Sequence, residues 1–287
     1  MAIGIACSAG SYKGVFVHGV LAAFSEAHLK ADIYAASSST AAVAAFAAIG
    51  ELEAANGSEH WKQSYSRYLN ANHDVSRSIL EALPLYTGAL RASLFRADKP
   101  RFAVAVSAVV TKEGAELTQG PSARRLGQQL VLATRTKDRS WADAHLEARL
   151  FQTGSAEAKY RITEENLDQV LYATTRMLHA WKTPAWIDGQ PYIDASYTCV
   201  CPAVELAQMG CATVIAISPE SGPLYRDFFE SSEVPSKYGD STIHLIKPDR
   251  NLADIGVDYM NVTNEGLEEA YYWGREAGRA FLGLKRL

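Results

Sequence analysis

The first 55 residues constrain the fold more than any other part of the chain. Two short apolar runs, at residues 2–7 and in "ADIYAA" (31–36), alternate with two longer stretches of helical character. Each run is too short for a buried helix and lacks the alternation of a half-exposed strand, so each reads as a strand buried on both faces. "VFVHGVLAAFSEAH" (15–28) and the Ala-rich "TAAVAAFAAIGELEAA" (40–55) supply the helices between and after them. The order strand, turn, helix, strand, turn, helix predicts an α/β fold with a largely parallel sheet.

Further along, residues 56–100 read as mainly helical, and "RFAVAVSAVV" (101–110) as a strand. "TKEGAEL" (111–117) reads as a hairpin turn into a second strand, and residues 121–170, including "TRTKDRSWADAHLEARL", as solvated helix. "ATVIAIS" (212–218) and "STIHLIKP" (241–248) are expected strands, and residues 263–284 a closing amphipathic helix capped by Thr263 or Asn264. No repeat, low-complexity tract or linker divides the chain, so residues 1–287 are expected to form one domain, with 51–170 its least legible part.

A formal charge of −4 and a pI near 6.0 give no electrostatic reason for nucleic-acid binding. Cys7, Cys199, Cys201 and Cys211 lack metal-ligand spacing and sit in apolar surroundings, which predicts buried thiols in a reducing compartment. The segment before Cys7 has no basic n-region and is too short for a signal peptide. No window reaches the ~18 continuous apolar residues of a membrane span. A cytoplasmic location is the expectation.

Three stretches could carry chemistry. "SAGSYKG" (8–14) ends a strand and opens a helix, where unpaired backbone N–H groups favour negative charge. "SSST" (37–40) places four hydroxyls between a strand and a helix, where a nucleophile elbow needs small neighbours two positions away. Those neighbours are Ala36 and Thr40 for Ser38, or Ser37 and Ala41 for Ser39; neither set completes G-x-S-x-G, and a helix N-cap would also use such residues. In "WIDGQPYIDASYTCVCP" (186–202), Asp188-Gly189 reads as a two-residue hairpin turn. Asp194 follows an expected strand and could serve a serine as general base, or cap a turn.

In this order the three stretches resemble the patatin-like phospholipase family: a G-G-G-x-[RK]-G oxyanion loop, a G-x-S-x-G elbow and a D-G-[AG] motif. "AGSYKG" keeps Gly10, Lys13 and Gly14, "DIYAASSSTAAVAA" aligns without gaps on the elbow, and "YIDASYTCVCPAVELAQMGCATVIAIS" is similar to the Asp segment and the strand after it. The closing helix is similar too; the match covers residues 2–50 and about 172–282. The resemblance implies a three-layer α/β/α sandwich with a mostly parallel central sheet. It implies a Ser38–Asp194 dyad, with Ser39 as the alternative nucleophile if the register shifts by one. Oxyanion donors would be the amides of Gly10, Ser11 and Tyr12, with Lys13 and Gly14 supporting the loop. The implied activity is hydrolysis of a lipid or other acyl ester, of phospholipase A or lysophospholipase type, without metal or cofactor. Peripheral membrane contact is compatible with it, nucleic acid is not implied, and the oligomeric state is left open.

Six glycines of the family pattern are replaced, by Ala9, Ser11, Ala36, Thr40, Ala195 and Ser196. A binding protein with weak or no catalysis is therefore an alternative. A Ser38–Asp194–His244 triad is another, although His244 falls inside an expected strand.

Overall fold

A computed structural model describes residues 2–154 and 158–284. Strand β1 (Ile3–Cys7) leads into helix α1 (Gly14–Glu26), then β2 (Ile33–Ser37) and α2 (Ala41–Ile49). Helices α3 (Gly57–Asn70) and α4 (Val75–Leu94) precede β3 (Arg101–Val109), and α5 (Lys112–Gln119), α6 (Ala123–Thr134) and α7 (Ser140–His145) follow it. Next come β4 (Leu146–Gln152), α8 (Leu167–Ala173), β5 (Ala185–Ile187), β6 (Gln190–Ile193) and α9 (Ala203–Gln208). Strands β7 (Thr213–Ile217), β8 (Lys237–Tyr238) and β9 (Ser241–Ile246) lead to α10 (Asn264–Leu284).

The sheet is ordered β5-β6-β3-β2-β1-β7-β9-β8, with β4 paired to β3. Its five central strands, β3-β2-β1-β7-β9, are parallel, and antiparallel pairing is confined to its margins. The chain is thus mixed α/β with a mostly parallel central sheet. Alternate residues sort to its two faces: Ile5, Cys7, Tyr34, Ala36 and Val104 join one apolar cluster, and Ala6, Ile33, Ala35 and Ala103 another. Burial on both sides explains why these strands read as continuous apolar runs.

Helices α1 and α10 lie close together. A Cβ on Gly19 would fall 2.1 Å from the carbonyl oxygen of Tyr271, and one on Gly274 2.1 Å from that of Phe16. Thr263 caps α10, accepting from the Gly266 amide at 3.0 Å. Asp188 and Gly189, at φ +50° and +78°, form the tight turn between β5 and β6.

Three expectations are corrected. The Ala-rich helix stops at Ile49, where Gly50 adopts a left-handed cap. "TKEGAEL" is helix α5, because the Thr111 hydroxyl accepts from the Gly114 amide and so starts a helix where a hairpin was expected. Leu146–Gln152 is strand β4, paired along Ala103–Val109 of β3, while only parts of 121–170 are helical; residues 155–157 of that stretch lie outside the described residues.

Candidate active site

The sheet itself brings two of the predicted site residues together. β4 occupies one edge of β3 from Ala103 to Val109. The other edge is shared: β2 runs parallel along Arg101–Ala105, and β6 enters from the opposite direction at Ser107 and Ala108. The ends of β2 and β6 therefore point at each other. The next residues of the two strands are Ser38 and Asp194, and Ser38 Oγ donates to Asp194 Oδ2 at 2.8 Å.

Ser38 has φ +58°, a left-handed conformation uncommon for a residue with a side chain. It stands where β2 turns through a single 3-10 turn into α2. Thr174 Oγ1 accepts from the Ser38 amide at 2.8 Å and donates to the Ala105 carbonyl at 2.7 Å. The Thr174 carbonyl also accepts from the Ala195 amide, and that of Arg176 from the Asp194 amide. Thr174, fully buried, thus joins the Ser38 turn, strand β3 and the Asp194 turn. No local pattern in the sequence marks it. The sequence reading missed it for that reason.

The other hydroxyls of the 37–40 run are committed elsewhere. Ser37 Oγ donates to the Cys199 carbonyl, Ser39 Oγ to that of Ser11, and Thr40 Oγ1 lies within bonding range of the Ser8 and Ser37 carbonyls. Thr40 has ordinary right-handed angles, so its branched Cβ is accommodated and its hydroxyl ties the turn to the end of β1.

Asp194 is fully buried. Its Oδ1 accepts from the Ser196 amide at 2.7 Å, and Ser107 Oγ donates to its carbonyl at 2.7 Å. Burial pushes its carboxyl up from 3.8 to about 6, against the opposing pull of bonds from Ser196 and Ser38.

Residues 8–12 of the 8–14 loop line the same cavity as Ser38. Ala9 N donates to the Val200 carbonyl and Tyr12 N to that of Tyr259 at 3.4 Å, whereas the amides of Gly10 and Ser11 have no acceptor among the described residues. Tyr12 thus differs from the other two expected donors in having its amide engaged. Ser11 holds φ +49° where the family pattern has glycine, and its hydroxyl bonds to the Tyr259 carbonyl. A Cβ on Gly10 would lie 2.5 Å from Pro219 Cγ, so glycine is required there by contact. Lys13 is buried, with Nζ 3.2 Å from both Glu220 carboxylate oxygens and 4.5 Å from the Tyr259 ring centre. Gly14 opens α1 behind the loop.

The cavity measures about 770 Å³. Ser38 lies in its wall, and much of the rest is apolar: Trp61 from α3, Val75, Ile79, Ala82, Leu83 and Tyr86 from α4, with Leu171 and Trp181. His60 and His179 also line it, but neither bonds to Ser38 or Asp194 among the described residues. His244 lies within β9, in register with Ile215 and packed near Phe281, outside the cavity wall. All four cysteines are buried free thiols. Among the described residues no group of three or more His, Cys, Asp or Glu is arranged to hold a metal ion, and no helix is long and apolar enough to cross a membrane.

No protein-family model matches this chain, and no curated protein sequence matches it significantly.

Proposed function

We propose that this protein is a serine-dependent acyl-ester hydrolase acting through a Ser38–Asp194 dyad, in keeping with its resemblance to the three-layer, patatin-like phospholipases. The observation that carries the reading is the 2.8 Å bond from Ser38 Oγ to a buried carboxylate, made from a left-handed turn between a strand and a helix. Ser38 Oγ attacks the ester carbonyl and its proton passes to Asp194 Oδ2. The carbonyl oxygen becomes an oxyanion accepted by the Gly10 and Ser11 amides. Collapse expels the alcohol, which takes the proton from Asp194, and leaves Ser38 acylated. Water then attacks the acyl carbon, gives its proton to Asp194, and releases the acid as Ser38 recovers a proton. A carboxyl shifted to about 6 is deprotonated at neutral pH and is a stronger base than an exposed aspartate.

Hydrolysis of p-nitrophenyl esters of graded chain length tests this reading. Ser38→Ala should lower kcat/KM by at least ~10³-fold, as removal of a nucleophile does. Ser39→Ala should stay within about tenfold of the parent, since Ser39 acts only through its bond to the loop. Activity retained in Ser38→Ala refutes the dyad.

A further inference from the structure

Strands β1 and β7 run parallel with Cys7 opposite Ile217, so the segments 8–13 and 218–220 leave the sheet side by side. The Ser8 amide donates to the Ile217 carbonyl at 2.9 Å, and Pro219 packs on Gly10 so closely that only glycine fits. Glu220, whose amide donates to Ser218 Oγ at 3.1 Å, receives the buried Lys13 Nζ on both carboxylate oxygens. Tyr259 closes the arrangement from the segment before α10. Its hydroxyl donates to Glu220 Oε1 at 2.9 Å, its ring centre lies 4.5 Å from Lys13 Nζ, and its carbonyl accepts from the Ser11 hydroxyl and the Tyr12 amide. Gly10 and Ser11, whose amides have no acceptor among the described residues, thus lie between Ala9 and Tyr12, each held through its own amide.

Resting on the hydrolase reading above, we infer that Glu220 and Tyr259 are positioning residues for the oxyanion loop. They bond to Lys13 and to each other rather than to Ser38 or Asp194, and through Lys13 they set the direction of the Gly10 and Ser11 amides. Lys13 is 3% exposed, so its charge needs a fixed partner; Glu220 supplies it, and the Tyr259 hydroxyl fixes Glu220 in turn. Ser11, at φ +49°, is held in its left-handed conformation by the bond from its hydroxyl to the Tyr259 carbonyl. Amides of this kind act only when aimed where charge develops, and loss of one such donor costs ~10²–10³ in rate.

The test compares Glu220→Gln and Tyr259→Phe with the full-length parent in two assays: p-nitrophenyl butyrate hydrolysis, and inhibition by an alkyl trifluoromethyl ketone. Addition of Ser38 Oγ to the ketone carbon passes the serine proton to Asp194 and leaves the ketone oxygen as an oxyanion, so its Ki reads the loop without turnover. Glu220→Gln should lower kcat at least ~10-fold and Tyr259→Phe about 3-fold or more, with KM within about 3-fold of the parent. In each variant Ki should rise by the factor by which kcat/KM falls, which a general loss of stability would not produce. Tyr259 is half-exposed, so Tyr259→Phe should keep the parent's urea midpoint and carries the test if Glu220→Gln does not fold. Parent-like kcat in a folded variant, a change confined to KM, or a fall in kcat without the matching rise in Ki overturns the inference. If the parent shows no hydrolysis that Ser38→Ala abolishes, the hydrolase reading itself fails, so the two failures are distinguishable.

Discussion

Ser38 occupies a turn that its neighbours hold from several sides. Its amide is bound by Thr174 and its hydroxyl by Asp194, and these bonds offset a conformation that costs about 1–3 kcal/mol. Thr174→Val keeps the side-chain shape but leaves the buried Ser38 N–H without an acceptor. It should lower kcat/KM at least ~10-fold, since an unsatisfied buried donor costs roughly 1–3 kcal/mol. Thr174→Ser should restore most of the loss; ester hydrolysis by both purified variants checks this. Asp194 makes a second prediction, in pH. Its folded carboxyl titrates at about 6 against 3.8 ordinarily, so the folded state holds the proton more tightly. That contribution to stability is present below about pH 4 and is lost as pH rises through about 6, while kcat/KM should rise over the upper part of that range as the base is freed. Asp194→Asn should therefore be inactive, and more stable than the parent at pH 8 by roughly 1–3 kcal/mol, measured by urea unfolding.

Among the elements, those with a strong apolar signal of their own were the readable ones. β1, β2, β3, β7 and β9 carry their own apolar signal, α1 reads as a mostly buried helix, and α10 carries an amphipathic pattern. β4 did not: charged Glu147 and Arg149 interrupt its apolar residues, and the register on β3 makes Leu146–Gln152 a strand. α5 was hidden similarly, as a polar segment whose start depends on one Thr111 bond. The α1–α10 contact makes a prediction of its own. Gly274→Ala adds helix propensity but drives a methyl into the Phe16 carbonyl, so a net destabilisation of about 1–3 kcal/mol is expected in thermal or urea unfolding. For α4, whose Ile79 lines the cavity, Ile79→Trp should move preference toward shorter p-nitrophenyl esters with little change in kcat on the short ones.

At the scale of the whole molecule, the candidate site follows from topology. β2 and β6 meet end to end on one edge of β3, which joins residues 156 positions apart in sequence. That meeting could not be read from "SSST" or "YIDAS" alone; the resemblance supplied the pairing, and the sheet register gives its physical cause. The part of the site that escaped the sequence comes from segments without motifs: Thr174 after α8, and Tyr259, whose carbonyl holds the 8–14 loop. His244, in β9 and separated from β2 by two intervening strands, should be dispensable, and His244→Ala should retain ester hydrolysis within a few-fold. The most direct measurement is intact mass after treatment with a fluorophosphonate, followed by peptide mapping. The dyad predicts one stoichiometric adduct on Ser38, none on Ser39, and slow or absent labelling in Asp194→Asn. No adduct on folded protein, or an adduct on Ser39, would contradict it, and the former would leave a binding protein built around the same cavity.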